Sequence, residues 1–275
     1  MMRETKRAVL SLLMLVLAAG CGTGQKSQSG NGLDSNAANS NIQKNPQPKT
    51  YGYTIVDKYP HDPGAFTQGL QLYQGFLYES TGLNGHSSLR KVDLKTGKVL
   101  RKTDLAPQYF AEGLTILNKK VYQLTWTSKV GFIYDVDTFN PLGQFPYDWE
   151  GWGMTNDGHY LIMSDGSNKL RFVDPETFAV ARTIEVFRQG RPLEELNELE
   201  YINGEIYSNI WHNDMIARIS PADGKLLGLI DLRGLGSGLN LGSEDVLNGI
   251  AWDPASNSLL VTGKRWPALF RIRLK

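Results

Sequence analysis

The chain has 275 residues, 41% of them hydrophobic and 21% charged, with a formal net charge of +1. That is enough apolar material for one sizeable core, and the near-zero charge with no basic run in the folded part excludes a nucleic-acid or polyanion partner, which needs a dense Lys/Arg patch. Twelve Tyr, ten Phe and six Trp beside 29 Gly favour short strands joined by tight turns, so the composition leans all-β.

At the N-terminus, Arg3, Lys6 and Arg7 precede an apolar stretch from Ala8 to Ala18 that is too short to span a membrane as a helix. It ends in Leu17-Ala18-Ala19-Gly20-Cys21, which resembles the lipobox of bacterial lipoproteins. The resemblance implies a signal peptide over residues 1–20 and lipidation of Cys21, hence an extracytoplasmic, membrane-anchored protein. Cys21 is the only cysteine, so no intramolecular disulfide can form. Residues 21–49 then read as the lipidated Cys and a flexible tether: Gly, Ser, Asn, Gln, Lys and Pro dominate, and such a segment cannot bury enough surface to offset its ordering entropy.

The folded domain is expected over residues 50–275, where one unit recurs. Its copies start at Phe66-Thr67-Gln68-Gly69-Leu70, Phe110-Ala111-Glu112-Gly113-Leu114, Glu150-Gly151-Trp152-Gly153-Met154, Asn197-Glu198-Leu199 and Leu247-Asn248-Gly249-Ile250. Each runs through strand-like segments separated by turns such as Thr96-Gly97, Asn156-Asp157-Gly158, Asn203-Gly204 and Asp223-Gly224. A period of about 40 to 50 residues with four strands per unit is that of a β-propeller blade. Five copies predict an all-β, five-bladed propeller. The last copy has only three strands, and Tyr53 to Tyr59 is expected to supply its outer strand, closing the ring by joining both termini in one blade. A helical turn is expected only at Pro192 to Leu196.

In a propeller the inner strands converge on a central channel, so the repeat starts meet in space. They carry Phe66, Gln68, Phe110, Glu112, Trp152 and Asn197, and Trp126, Trp211 and Lys264 stand at equivalent places one strand later. One carboxylate, one ammonium, two amides and several large aromatics make a pocket composition. Taken singly, the aromatics suit blade packing, Glu112 and Lys264 suit solvent, and Gln68 and Asn197 suit turns. The fold alone hosts many functions.

The wording of the repeats is more specific. Tyr59-Pro60-His61-Asp62-Pro63 followed by Ala65-Phe66-Thr67-Gln68-Gly69-Leu70 is similar to the opening of the glutamine cyclotransferase family of plants and bacteria. The later repeat starts, Leu124-Thr125-Trp126 and Thr262-Gly263-Lys264-Arg265-Trp266-Pro267 resemble its further motifs in the same order. The resemblance covers the chain from Tyr51 onward and implies a five-bladed propeller that converts N-terminal glutamine of a peptide or protein into pyroglutamate, releasing ammonia. By it, Glu112 takes the catalytic acid/base position, and Phe66, Gln68, Phe110, Trp126, Trp152, Asn197, Trp211 and Lys264 take pocket positions. No metal or other cofactor is required, the protein acts as a monomer, and Gln68, Asn197 and Lys264 all remain candidates for stabilising an oxyanion. Secreted plant members carry disulfides and no lipid anchor, a departure in compartment rather than chemistry.

Two other classes bear weighing. A non-catalytic propeller binding peptide or sugar at the same mouth keeps the aromatics but has no use for a lone Glu112 beside amides. A lactonase-like hydrolase recruits a divalent cation; His61, His86, His159 and His212 have no metal-ligand spacing, and Asp62, Asp165 and Asp245 form no signature.

Overall fold

The computed structural model describes residues 48–275. The signal peptide, Cys21 and nearly all of the tether lie outside the described residues. Within them the chain is all-β, with no helix, and builds five blades. The first blade comprises strands Thr67–Tyr73, Phe76–Thr81, Ser88–Asp93 and Val99–Asp104, and the second Ala111–Leu117, Lys120–Thr125, Val130–Asp135 and Pro141–Pro146. The third comprises Met154–Asn156, Leu161–Met163, Lys169–Val173 and Val180–Glu185. The fourth comprises Leu196–Ile202, Glu205–Ile210, Met215–Ile219 and Leu226–Asp231, and the fifth Leu247–Asp253, Ser258–Gly263 and Ala268–Leu274. Strand Tyr53–Pro60 pairs antiparallel with Ala268–Leu274 as the outermost strand of the fifth blade.

Burial grades outward along each blade. All seven residues of Ala111–Leu117 are buried, whereas Pro141–Pro146 and Val180–Glu185 each bury one. The sequence follows this: inner strands such as Thr67–Tyr73 and Leu196–Ile202 bury apolar and polar residues together, whereas outer strands such as Val99–Asp104 are mostly polar or charged. The inner strands lie against one another in a circle, with the last also touching the first. Five apolar clusters fill the seams between consecutive blades. The seam between the last and first blades holds Leu70, Leu77 and Val92 against Ala251, Leu260 and Leu269.

The recurrent turn between the third and fourth strands is built by one side chain. Asp93 Oδ1 accepts from the Thr96 amide at 2.9 Å and its hydroxyl at 2.6 Å, and Asp135–Thr138 and Asp174–Thr177 repeat the pattern. These bonds hold the three carboxyls below the usual range.

The glycine at each repeat start has a steric cause. A Cβ on Gly69 would stand 2.5 Å from the Leu114 nitrogen, and one on Gly113 or Gly153 would likewise strike the backbone of the next blade. In the fourth blade this position is Glu198, whose side chain crosses to the fifth and first blades. Its two oxygens accept from the Ile250 amide at 2.8 Å and the Leu70 amide at 3.1 Å.

Two features differ from the sequence expectations. Residues 192–196 form no helical turn: Phe187–Arg188 pairs with Arg191–Pro192 in a two-residue hairpin. Gln189 and Gly190 turn it at φ of 54° and 77°, the backbone a tight hairpin demands, and Glu195 at φ 63° is incompatible with helix. The chain also enters the fold through Lys49–Tyr51, which pairs in parallel with Leu226–Asp231 and adds a fifth strand to the fourth blade.

Candidate active site

The inner strands carry a register shift near their first residues in four blades, between Thr67 and Gly69, Ala111 and Leu114, Leu196 and Leu199, and Leu247 and Ile250. A β-bulge inserts an extra residue and re-aims the side chains around it. The residues at these bulges are Gln68, Glu112, Asn197 and Asn248. In the third blade Trp152 stands two residues before the strand. Trp126, Trp211 and Lys264 follow the ends of the second strands of their blades, and each of the three returns its amide to a carbonyl just before the blade's inner strand: Phe110, Glu195 and Val246, at 2.9, 2.8 and 2.9 Å.

The result is one cavity of about 200 Å³. It is lined by Phe66, Gln68, Phe110, Glu112, Trp126, Trp152, Asn197, Trp211 and Lys264, together with Glu244. All nine residues singled out from the sequence thus meet. Glu112 and Lys264 are not solvated, as each would be if read singly: they are 6% and 5% exposed. Trp126, 40% exposed, forms the rim.

The walls are rings set edge to face. Phe66 and Phe110 lie 6.1 Å apart at 86°, Phe110 and Trp126 5.7 Å apart at 66°, and Trp152 and Trp211 5.6 Å apart at 87°. The Lys264 ammonium stands 4.9 Å from the Phe66 centroid and 6.0 Å from that of Trp211. Gln68 Nε2 donates to Glu112 Oε1 at 3.1 Å. The side-chain oxygen of Asn197 is buried and has no hydrogen-bond partner among the described residues.

Burial pushes the Glu112 carboxyl well above its usual range; the Lys264 charge opposes this and the Glu150 charge adds to it. Burial pulls the Lys264 ammonium down, against the Glu112 and Glu244 carboxylates. The cavity therefore holds a carboxyl that keeps its proton to higher pH than an exposed one and an ammonium with little access to water.

Outside the cavity lining, a buried pair ties the first blade to the last. His61 Nε2 lies 2.9 Å from Glu79 Oε1, which also accepts from the Thr67 hydroxyl at 2.7 Å, while His61 Nδ1 meets the Trp266 carbonyl at 2.6 Å. Burial disfavours charge on both members, yet each is held charged by its partner: His61 is raised and Glu79 lowered. Asp62, Asp165 and Asp245, weighed as cation ligands, pair instead with Arg90, Arg171 and Arg265 at 2.7, 2.6 and 3.2 Å. Among the described residues no three His, Cys, Asp or Glu side chains gather as a metal-ligand group.

Sequence reasoning missed three residues. Glu150 Oε2 accepts from both Trp126 Nε1 at 2.6 Å and Trp152 Nε1 at 3.1 Å, clamping two indoles of the wall. Its place in Glu150-Gly151-Trp152 was a signal, since it opens that repeat. Asn248 occupies the same repeat position as Gln68 and Glu112, so counting register across the copies finds it. Glu244 arrives on a glycine-rich connection without periodicity, and no local signal marks it. Glu150→Ala is expected to raise KM about tenfold, the equivalent of one charge-assisted hydrogen bond at a partly exposed site. Glu150→Gln, which keeps an acceptor for the indoles, is expected to stay within threefold of the unaltered protein. Steady-state kinetics decide this, and an unchanged KM in Glu150→Ala would mean that packing alone holds the wall.

A propeller whose mouth encloses one buried carboxyl, one buried ammonium and an aromatic wall has the constitution of an enzyme pocket rather than a flat docking face. The family model described as glutamine cyclotransferase matches residues 30–274, and the chain belongs to that family. It is 49% identical over 227 residues to a glutaminyl-peptide cyclotransferase of Arabidopsis thaliana, covering 80% of this chain and 71% of that protein. The crystal structure of Myxococcus xanthus glutaminyl cyclase superposes with a TM-score of 0.79 at 39% identity, covering 83% of this chain and 99% of the other.

Proposed function

We propose that this protein cyclises N-terminal glutamine of peptides or proteins to pyroglutamate with release of ammonia, with Glu112 as the acid/base. The observation that carries the reading is a single buried carboxyl, pushed upward in pKa by burial, facing a cavity of about 200 Å³, large enough for one side chain and its backbone. The similarity to the Arabidopsis and Myxococcus enzymes supports it.

The nucleophile and electrophile already belong to one residue, so the pocket has only to hold a near-attack rotamer and manage protons. The α-amino nitrogen attacks the side-chain amide carbon, forming the ring C–N bond; the bond to the amide nitrogen then breaks. Glu112 passes its proton to the departing nitrogen and takes one from the attacking nitrogen, so it ends as it began and ammonia leaves neutral. Gln68 has an amide hydrogen committed to Glu112, and Asn197 carries an unpartnered acceptor, suited to a substrate N–H. Lys264, the one cationic side chain lining the cavity among the described residues, is assigned to the oxygen that gains charge as the amine attacks, where a buried charged donor acts most strongly. The aromatic wall grips the aliphatic part of the glutamine and excludes water. No step calls for a metal or other cofactor.

The same reading places residues 1–20 as a signal peptide, lipidated Cys21 as the anchor, residues 21–49 as a tether and residues 50–275 as a monomeric catalytic domain on the extracytoplasmic face. The test is ammonia release from a peptide beginning with Gln, with loss of one ammonia from its mass, run with and without a chelator. Turnover that survives chelation is expected. Binding of the peptide without turnover would make the propeller a peptide-binding module, and loss of turnover on chelation would make it a metalloenzyme.

A further inference from the structure

Asn248 is fully buried at the start of the fifth blade's inner strand. Its Nδ2 donates to the Thr67 main-chain carbonyl at 2.9 Å and to Gln68 Oε1 at 3.1 Å. An amide side chain can in principle face either way, but a main-chain carbonyl only accepts, so nitrogen and not oxygen must face Thr67. The same nitrogen then meets Gln68, and this fixes the Gln68 amide with its oxygen toward Asn248 and its nitrogen toward Glu112. That nitrogen donates to Glu112 Oε1 at 3.1 Å. The direction of the whole chain is thus set by one backbone atom outside the cavity. Asn248 Oδ1 is left buried without a partner among the described residues, the mark of an orientation imposed against the residue's own interest.

We propose that Asn248 is a positioning residue that, through Gln68, keeps Glu112 Oε1 an acceptor and so biases the transferable proton toward Oε2. An N–H aimed at Oε1 favours carbonyl character there, because a carbonyl oxygen accepts more strongly than a hydroxyl oxygen. The neutral carboxyl therefore favours its hydrogen on the other oxygen, and the ionised carboxylate is biased to receive one there. This inference rests on the reading of Glu112 as the acid/base.

The experiment is a double-mutant cycle on turnover of a Gln-initiated peptide, with Asn248→Ala and Gln68→Ala singly and together, and urea unfolding of each variant. Asn248→Ala is expected to lower kcat about tenfold or more with KM within about threefold, and to change kcat less than about twofold once Gln68 is already Ala. A residue that merely stitches the fifth blade to Thr67 would lower stability without this coupling. Effects on kcat that multiply, or an Asn248→Ala kcat equal to the unaltered protein's, overturn the inference. If Asn248→Ala does not fold, the isosteric Asn248→Asp replaces it in the same cycle; ionised, it offers only acceptors and turns the Gln68 amide around, so kcat must fall and again only while Gln68 is present. Glu112→Gln is assayed alongside. Turnover that survives that change overturns the reading of the site, and this inference with it. Turnover lost there but untouched at Asn248 overturns this inference alone.

Discussion

Glu112→Gln is expected to lower kcat by about 10² to 10⁴, the usual span for removing a positioned acid/base, while the fold and KM change little. The substitution is nearly isosteric, and an amide oxygen can still accept from Gln68 Nε2, so the contact at 3.1 Å survives. What disappears is the capacity to exchange a proton between the two nitrogens of the substrate. Stability should hold because burial already disfavours the charged carboxylate, so a neutral amide adds no desolvation cost at this position. The one electrostatic loss falls on Lys264, whose charge Glu112 helps to support; with Gln there, the ammonium is expected to deprotonate more readily. Steady-state kinetics with thermal unfolding as a control measure all of this. A folded Glu112→Gln variant within a few-fold of full kcat would remove Glu112 from the proton path.

The residues that meet in the cavity were legible in the sequence because one local device recurs. Gln68, Glu112 and Trp152 precede the glycine that the neighbouring blade forces in the first three blades, and Asn197 stands before its counterpart, Glu198, in the fourth. Asn248 stands in the same register, before Gly249. Trp126, Trp211 and Lys264 were placed one strand later, and each does follow its second strand. What stayed hidden are bonds that depend on side-chain direction between distant segments. Nothing in Leu124-Thr125-Trp126 says that its indole nitrogen turns to Glu150, and His61 gives no hint of Glu79. The hairpin at Phe187–Pro192 depends on positive φ at Gln189 and Gly190, and the break after it on positive φ at Glu195; Gln and Glu do not announce that conformation. Parallel pairing of Lys49–Tyr51 lies in a segment whose composition reads as tether, and its partner strand is remote in sequence.

Stability should fall as pH rises from about 4.5 to 8, and Glu200 should be a principal cause. It stands on the fourth blade's inner strand, 6% exposed, where its Oε1 accepts from the Trp252 amide at 3.0 Å. Burial pushes its carboxyl from 4.5 up to about 8, against the weaker pull of that hydrogen bond. A folded-state value above the unfolded one means that the folded chain holds a proton which the unfolded chain releases. Its contribution is therefore complete below the unfolded value and is lost as pH climbs through the folded one, with a slope of about 1.4 kcal/mol per pH unit. Across that window the loss is on the order of 4 to 5 kcal/mol, a large share of the stability of an ordinary domain. Glu198, two residues earlier, is raised by burial and by the Glu200 charge, so it steepens the slope while the folded chain keeps both protons, and the slope flattens where the folded carboxyls ionise. Glu200→Gln keeps an oxygen for the Trp252 amide and cannot ionise. It is expected to match the unaltered protein near pH 4.5 and to exceed it by about 3 to 5 kcal/mol at pH 8, read from urea unfolding at each pH. Parallel pH profiles in the two proteins would show that Glu200 is ionised in the folded state, and that the Trp252 amide stabilises its charge more than burial penalises it.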